Sequence, residues 1–277
     1  MFKILAKEPL SPTVNLFRIE APAIAQAARP GQFIMLMTNE AGERLPLTIV
    51  DWDKTEGSIS LAVASVGHTT GKLAAMQAGD FLPHVVGPLG KSAEIGSFGK
   101  VACVATGYGM LAIVPPARAL RAAGNQVFSV ISAPSRQELL LPERLAGVSD
   151  KLIIATSDGS AGQPGWVIEP LQQLLASEKI DRVMAIGSLC MMKLVTEASR
   201  GIKTTVSLNP IMVDGTGMCG ACRVVSAAGT TRFACVDGPE FDGHEVDWDL
   251  LMARRCPYPV EASHGESAYQ CQHCAQW

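Results

Sequence analysis

The strongest constraint on the fold of this chain is a regular alternation of strand patterns with helix patterns from residue 99 to residue 209. The short apolar runs, typical of buried strands, are "KVACVATG", "QVFSVISA", "KLIIATS", "DRVMAIGS" and "KTTVSLN". The helix patterns between them are "MLAIVPPARALRAAG", "WVIEPLQQLLASEK" and "MMKLVTEASRG". Strands that alternate with helices pair in parallel through helical crossovers, so this region predicts an α/β domain built on a parallel sheet.

The regions on either side of this alternation have different patterns. Before it, the runs "TVNLFRIEA", "GQFIMLMT", "LPLTIVDW" and "SISLAVASV" are bounded by Gly, Pro, Asn and Asp, which is typical of a small antiparallel barrel. After it comes a glycine-rich cysteine loop (residues 214–224), followed by two short strands around a turn in "RVVSAAGTTRFACV". We therefore predict a barrel over 1–98, an α/β domain over 99–209, a small loop domain over 210–250 and an irregular tail over 251–277.

The composition narrows the class of protein. A net charge of −3 without a basic stripe argues against a nucleic-acid partner. No apolar stretch reaches the roughly 18 residues that a membrane span needs. The first twenty residues alternate polar and apolar positions, so we expect no secretory signal and a cytoplasmic location. Eight cysteines in such a chain indicate metal or redox use more than disulfides.

Two stretches of the predicted barrel suit a phosphate and a ring edge. In "RLPLTI", Arg44 offers a charged fork and Thr48 a hydrogen-bond donor, although an ordinary strand with a surface arginine has the same pattern. In "SVGHTTGKL", Gly67, Thr69 and Thr70 precede a helical pattern, as at a phosphate-binding helix N-terminus. A simple capped helix is the alternative there.

Three glycine-bearing stretches follow strands of the predicted parallel sheet, where open α/β sheets bind their ligands. They are "ATGYGMLA", "TSDGSAG" and "IGSLCMM", and together they predict a nucleotide cleft. The first contains Gly107 and Gly109 but lacks the third glycine of the G-x-G-x-x-G fingerprint. Cys190 either lines a nicotinamide site or is a small buried apolar residue. We find no acid–base triad and predict no catalytic side chain.

The cysteine loop has the spacing of a metal site. Cys219, Cys222 and Cys235 form C-x2-C-x12-C, which suits an iron–sulfur cluster, with zinc as the rival. Plant-type [2Fe–2S] loops carry a further cysteine five positions before the pair, and Asp214 stands there in this chain. The alternative is that Asp214 is a turn residue and that Cys256, Cys271 or Cys274 completes the site. The tail, which also holds His264 and His273, forms either a second metal site or a mobile end.

These motifs, in this order, resemble the ferredoxin-reductase-like electron-transfer subunits. That family includes the electron-transfer subunit of dihydroorotate dehydrogenase and the small subunit of the NADH-dependent reduced ferredoxin:NADP oxidoreductase, also called the sulfide dehydrogenase β subunit. The resemblance covers about residues 1–250 and is most specific in "SLNPIMVDGTGMCGACRV" and "FACVDGPEFDGH". Because the dihydroorotate branch has four cysteines, Asp214 favours the second branch. Tyr108 and the stretch "ISAPSR" depart from the family pattern.

The resemblance implies three sets of cofactor-binding residues. Those for FAD are Arg44, Leu45, Pro46, Leu47, Thr48, Leu61, Val63, Val66, Gly67, His68, Thr69 and Thr70. Those for NAD(H) are Gly107, Tyr108, Gly109, Met110, Asp158, Gly159, Ser160, Gly187, Ser188, Cys190 and Met191. Those for the [2Fe–2S] cluster are Asp214, Cys219, Cys222 and Cys235.

The resemblance also implies a function. Hydride would pass between NAD(H) and FAD, and single electrons would pass through the cluster to a larger flavoprotein partner that carries FAD and [4Fe–4S] clusters. The resulting heterodimer would couple NAD(H), NADP(H) and ferredoxin, as in electron bifurcation. The alternatives are the electron-transfer subunit of a dihydroorotate dehydrogenase or of another dehydrogenase, and a zinc protein that binds nucleotide without turnover. No basic cluster suited to a 2′-phosphate stands out, which favours NAD(H).

Overall fold

The computed structural model describes residues 1–255. The predictions for Cys256, His264, Cys271, His273 and Cys274 therefore lie outside the described residues. None of the helices in the described range is both long and apolar enough to cross a membrane.

The N-terminal region is a nearly closed antiparallel barrel, as predicted. Its strands are β1 (Phe2–Pro9), β2 (Val14–Glu20), β3 (Phe33–Met37), β4 (Leu45–Asp53), β5 (Ser58–Ala64), β6 (Phe81–Leu82) and β7 (His84–Leu89), with helices α1 (Pro22–Ala27) and α2 (His68–Ala75). Their order is β6-β1-β2-β5-β4-β3-β7. The inward-facing residues, among them Phe17, Ile34 and Leu61, form a closed apolar core.

The second region is the predicted α/β domain. Its strands are β8 (Lys100–Thr106), β9 (Gln126–Ala133), β10 (Lys151–Thr156), β11 (Gln163–Pro164), β12 (Arg182–Ile186) and β13 (Lys203–Ser207). Its helices are α3 (Gly109–Ala112), α4 (Val114–Ala122), α5 (Pro142–Ala146), α6 (Ile168–Ser177) and α7 (Leu189–Ala198). These strands pair in parallel in the order β11-β10-β9-β8-β12-β13.

The single helix predicted over "MLAIVPPARALRAAG" is two helices, α3 and α4, which meet at Ile113. Pro115 and Pro116 explain the break. Proline lacks a backbone N–H and is accommodated in the first turn of a helix but not in its interior. The prolines therefore stand in the first turn of α4, after the short helix α3 has ended.

The C-terminal region differs from the prediction in two ways. It contains β14 (Arg223–Val225), β15 (Thr231–Phe233), β16 (Glu240–Asp242) and α8 (Trp248–Arg255). Strand β16 joins the edge of the parallel sheet by pairing antiparallel with β13, so the sheet is mixed. The predicted irregular tail begins too early, because α8 continues to residue 255. Asp247 caps this helix by accepting the N–H of Leu250, and the Leu251 side chain is buried.

The three regions share apolar cores instead of packing as separate units. One core combines Phe33 and Met35 of the barrel with α/β residues such as Val206, and with Cys222 and Cys235. An ion pair also joins the barrel to the α/β domain, with Arg118 Nη1 3.2 Å from Asp51 Oδ1. The cysteine loop is thus held against both other regions.

Candidate functional site

A cavity of about 280 Å³ lies between the barrel and the α/β domain, and we call it the inter-domain pocket. Its volume is close to the lower end, about 300 Å³, of typical small-molecule sites. The whole predicted flavin motif, residues 44–48 around the start of β4, lines it. Arg44 is exposed and free to extend toward an anionic group, while Thr48 pairs with Phe33 of β3 at the pocket wall.

The residues of β5 that line the pocket differ from the ones predicted. Leu61 and Val63 have no exposed surface, because they point into the barrel core. Their neighbours Ala62 and Ala64 line the pocket. Successive side chains of a strand point to opposite faces, so the two sets cannot share the pocket. A ligand in the pocket would meet the two alanines, whose small side chains leave room for a flat ring.

Polar side chains at the start of α2 form hydrogen bonds beside the pocket. The Thr70 hydroxyl accepts the backbone N–H of Val66 at 3.1 Å and of Gly67 at 2.9 Å. Val66 and Thr70 both line the pocket. The Thr69 hydroxyl donates to Glu43 at 2.8 Å, which ties the helix start to the segment before β4. The His68 side chain is exposed. The first-turn N–H groups of a helix suit an anion, as predicted for this stretch.

The α/β domain contributes the loop after β8. Gly107 has a φ of +55°, which glycine adopts without strain. A Cβ on Gly109 would come within 2.2 Å of the Ile186 carbonyl oxygen, so this glycine allows α3 to pack directly on β12. Tyr108, between them, lines the pocket beside Ile186. Met110 is fully buried, so its side chain faces the core and not a ligand.

The other two glycine-bearing strand ends lie at the same edge of the sheet: the end of β12 is next to this loop, and the end of β10 is two strands away, across β9. Asp158, after β10, accepts hydrogen bonds from the Ser160 hydroxyl at 2.6 Å and N–H at 2.9 Å, and these bonds lower the pKa of its carboxyl. The Arg136 guanidinium donates two hydrogen bonds to the Ser160 carbonyl. Gly159 has a φ of +72° in this turn. An exposed carboxylate at such a strand end suits ribose hydroxyls.

After β12, the Ser188 hydroxyl caps α7 by accepting the N–H of Met191 at 3.2 Å. Met191 itself is fully buried and packs under Gly187, whereas Cys190 is half-buried. Beside them, the buried hydroxyls of Thr106 and Ser132 have no hydrogen-bond partner within residues 1–255. The two residues are paired in register at the ends of β8 and β9, so they leave unsatisfied polar groups where a ligand is expected.

The third wall of the pocket was not predicted. It is the linking segment, residues 207–212, which runs from the end of β13 toward the cysteine loop. The Asn209 amide donates to the Tyr108 hydroxyl at 3.2 Å, joining this segment to the loop after β8. Pro239, which precedes β16, lines the pocket from the same region. In the sequence, the one signal for the contact between this segment and the pocket is that "SLNPIMVDGTG" begins at the end of the strand pattern "KTTVSLN".

The four predicted cluster ligands form two pairs. Cys222 and Cys235 are buried, and their sulfurs are 3.2 Å apart. Asp214 and Cys219 are more exposed and adjacent, because the Asp214 carboxylate accepts the Cys219 backbone N–H at 2.7 Å. No three His, Cys, Asp or Glu side chains in the described chain are grouped as a ready single-ion site. A [2Fe–2S] cluster has two irons with two protein ligands each, and two pairs fit it better than they fit one zinc ion.

The surroundings of the two ligand pairs suit a cluster that is bound by thiolates. Burial, and then the neighbouring Cys222 thiol, raise the pKa of Cys235 to about 12, so a bound cation is needed to deprotonate it. The Ala221 N–H points at the Cys219 sulfur at 3.4 Å. Arg254 of α8 donates to the Ala221 carbonyl at 2.9 Å and holds the loop from behind. Gly215, with a φ of +79°, makes the close turn after Asp214.

The cysteine loop packs against the barrel strand that forms part of the pocket. A Cβ on Gly215 would come within 2.6 Å of Met35 and 3.2 Å of Leu89. Met35 lies on β3 two residues after Phe33, which lines the pocket. The loop and the pocket are therefore connected twice, through β3 and through the linking segment.

Comparisons with known proteins agree with this arrangement. Residues 209–247 match the family described as the iron–sulfur cluster binding domain of dihydroorotate dehydrogenase B. A Thermotoga maritima protein described as a homolog of the dihydroorotate dehydrogenase B (NAD(+)) electron transfer subunit is 44% identical over 258 residues, covering 92% of this chain and 91% of the relative. A Methanocaldococcus jannaschii protein, described as a probable subunit of the same kind, is 34% identical and covers 85% of this chain and 86% of its own length.

The chain belongs to the family of dihydroorotate dehydrogenase B electron-transfer subunits and their homologues. This confirms the family predicted from the sequence. A chain in the solved structure of the NADH-dependent reduced ferredoxin-NADP oxidoreductase is 42% identical, with a TM-score of 0.88 over 93% of this chain and 94% of that chain. A cytochrome P450 reductase of Amycolatopsis, 18% identical with a TM-score of 0.61 over 71% of this chain and 64% of its own, shares the ferredoxin-reductase-like fold alone.

Family membership also bears on the metal. The matched domain is an iron–sulfur domain, which confirms the predicted type of site and argues against the zinc alternative. The match begins at Asn209 and so includes Asp214, Cys219, Cys222 and Cys235. The individual ligands and the cofactor-contacting residues stay predictions, which the geometry above makes testable.

Proposed function

We propose that this chain is an electron-transfer subunit that exchanges hydride between NAD(H) and FAD and passes single electrons through a [2Fe–2S] cluster to a larger flavoprotein. The observation that carries the proposal is the inter-domain pocket. One pocket is lined by the flavin motif of the barrel, by the loop after β8 and by the linking segment that leads to the cysteine loop. This lining supports donor, flavin and cluster sites that are neighbours in the order that electrons would follow.

For FAD, Arg44 would neutralise phosphate charge, and the N-terminus of α2 would supply backbone donors. Thr48 and the alanines of β5 would contact the ring system, with Thr48 as the polar contact. The pocket supports this use because the small side chains of Ala62 and Ala64 form part of its wall. When bound, a flavin accepts two electrons from a nicotinamide and gives them up one at a time.

For NAD(H), the strand ends after β8, β10 and β12 would hold the dinucleotide. Gly107 and Gly109 keep side chains out of its path, and the Asp158 carboxylate would accept hydrogen bonds from ribose hydroxyls. The same negative charge would repel a 2′-phosphate, which supports NAD(H) over NADP(H). Cys190 would lie at the edge of the nicotinamide position.

For the cluster, Cys222 and Cys235 would hold the inner iron and Asp214 with Cys219 the outer iron. Burial excludes water from the inner pair, while the outer pair stands at the surface where a partner can approach. A carboxylate ligand changes the charge around the cluster and therefore its reduction potential. Around Cys219, the apolar side chains of Val213, Met218 and Val236 are exposed, which supports contact with another protein.

The solved relative at 42% identity is described in a study of flavin-based electron bifurcation. On that basis we propose a heterodimer with a larger subunit that carries FAD and [4Fe–4S] clusters and couples NAD(H), NADP(H) and ferredoxin. Electron bifurcation by this complex, and the cytoplasmic location predicted from the sequence, stay predictions.

The decisive test is anaerobic purification of the native complex with metal analysis and visible spectra. We expect about two irons per chain from this subunit, a flavin spectrum, and bleaching on addition of NADH but little on addition of NADPH. A colourless protein that contains only zinc would refute the proposal.

The second candidate, favoured by the names of the curated relatives, is the electron-transfer subunit of a dihydroorotate dehydrogenase. Co-purification separates the two. A partner that oxidises dihydroorotate supports the second candidate, and an iron-rich flavoprotein that reduces ferredoxin supports the first. Asp214, in place of a fourth cysteine, is the sequence feature that favours the first.

A further inference from the structure

Glu240 is a half-buried acidic side chain with one enclosed carboxylate oxygen, and none of the proposed cofactor sites uses it. It lies on β16, opposite Ser207 of β13 and directly after Pro239, a wall residue of the inter-domain pocket. Its Oε1 atom is enclosed and has no hydrogen-bond partner in the described part of the chain. Enclosing a carboxylate oxygen without a hydrogen bond or a cation disfavours its charged form, so this group calls for an explanation.

The surroundings of Glu240 come from the N-terminal region and from the α/β domain. Gly31 of the barrel leaves the space for its carboxyl, because a Cβ there would lie 2.9 Å from Oε1 and 3.0 Å from the Ala93 nitrogen. Gly31 has a φ of +83°, which disfavours a side chain at this position as well. The backbone of Glu94 gives the carboxyl a hydrogen bond that favours the charged form.

The charged and titratable groups near Glu240 do not neutralise it. Glu94 is a like charge, and the two cations in its neighbourhood, Arg182 and Lys203, are paired with Glu94 instead. The Cys103 thiol of β8 is fully buried, and burial raises its pKa to about 12, so it stays neutral. Burial dominates, and it raises the pKa of Glu240 to about 7.

We propose that Glu240 is a half-buried proton site that gains a proton when electrons enter the inter-domain pocket and loses it when they leave. The proposal rests on the proposed function. Hydride transfer to a ligand in the pocket would bring in two electrons and one proton, and would therefore add one negative charge to the pocket that Pro239 lines. A proton from water then forms an O–H bond on the Glu240 carboxylate and offsets that charge. As the two electrons pass on one at a time, the O–H bond on Glu240 breaks, and both its proton and the proton that arrived with the hydride return to water.

The structure provides a route for this proton. Glu240 retains a partly exposed surface although Oε1 is enclosed, and the side chain of the neighbouring Glu94 is 59% exposed. Exchange with solvent therefore does not require the barrel and the α/β domain to separate. Because Glu240 does not itself line the pocket, it acts through the electric field and not through contact.

The test measures protons taken up on reduction. Wild-type holoprotein, Glu240→Gln and the control Glu245→Gln are reduced anaerobically by NADH in weakly buffered solution with a pH-indicator dye at several pH values. Glu245 is an exposed carboxylate five residues away. We expect Glu240→Gln to take up fewer protons than wild type near pH 7.5, by up to about one per two electrons. The control is expected to match wild type.

A second readout is the pH dependence of the flavin midpoint potential, which we expect to become shallower in Glu240→Gln between about pH 6 and pH 8. Unchanged proton uptake and an unchanged slope in a variant with intact cofactor spectra would overturn the proposal while leaving the proposed function in place. If wild type itself holds no flavin, or is not reduced by NADH, the proposed function has failed and the Glu240 proposal fails with it.

Discussion

Replacing Glu240 by Gln should change how the stability of the protein depends on pH. In the folded state burial raises the pKa of the Glu240 carboxyl from 4.5 to about 7. Below pH 4.5 both the folded and the unfolded chain hold the proton. Between 4.5 and about 7 only the folded chain holds it, so the contribution of Glu240 to stability falls as pH rises. Above about 7 both states are ionised and this contribution is constant.

The size of the effect follows from the two pKa values. A difference of about 2.5 between them corresponds to about 3 kcal/mol of stability lost between pH 4.5 and 7, at about 1.4 kcal/mol for each pH unit. This is an upper bound, because the residue keeps some solvent contact. At about 2–4 °C for each kcal/mol, the corresponding change in Tm is at most about 6–12 °C. Gln cannot ionise, so Glu240→Gln should not show this loss.

The assay is unfolding of wild type and Glu240→Gln, by heat or denaturant, at pH 5, 6, 7 and 8. Gln also places an amide donor in an enclosed space, which costs about 1 kcal/mol at every pH. The quantity to compare is therefore the difference between variant and wild type as pH changes. It should shift in favour of the variant from pH 5 to pH 8, while Glu245→Gln gives a flat difference. A flat difference for Glu240→Gln would show that its carboxyl ionises normally, and a shift in the opposite direction would show that a cation pairs with it.

Three further predictions concern the proposed sites. Tyr108→Phe removes the hydroxyl that accepts a hydrogen bond from Asn209 at 3.2 Å. Flavin reduction by NADH, followed by stopped flow, should slow several-fold while the flavin spectrum and folding remain normal. An unchanged rate would mean that the pair has no positioning role. Gly109→Ala forces a Cβ to within 2.2 Å of the Ile186 carbonyl, so thermal unfolding should show a loss of about 1–3 kcal/mol, and a neutral result would mean that α3 can shift freely. Asp214→Cys should retain the cluster but change its electron paramagnetic resonance spectrum, whereas Asp214→Ala should lose iron. An unaltered spectrum in Asp214→Ala would show that another residue is the fourth ligand.

The pattern of the sequence predicted the two large regions because each has a strong period. Strands β8, β9, β10 and β12 are largely apolar runs, which is typical of a sheet covered on both faces, and the helices between the strands set the direction of pairing. Strand β16 was missed because three residues are too short for a period to appear. Its pairing with β13 depends on where the cysteine region folds back, which no local signal encodes.

The candidate site was predictable to the extent that its residues lie within one motif. The flavin motif at residues 44–48 lines the inter-domain pocket as a continuous stretch. On β5 the prediction chose Leu61 and Val63, whereas Ala62 and Ala64 face the pocket. The choice between odd and even positions depends on which face of the barrel is covered by the α/β domain, and that is a tertiary property.

The start of the tail was also predicted wrongly because it depends on contacts between residues that are distant in the sequence. The charged sequence after residue 250 contains little to suggest order, yet α8 extends to Arg255 because its contacts are with distant residues. Arg254 donates to the carbonyls of Ala221 and Arg223, the residues on either side of Cys222. A positive charge fixed there also stabilises thiolates nearby, so α8 serves the proposed cluster both by ordering its loop and through its field.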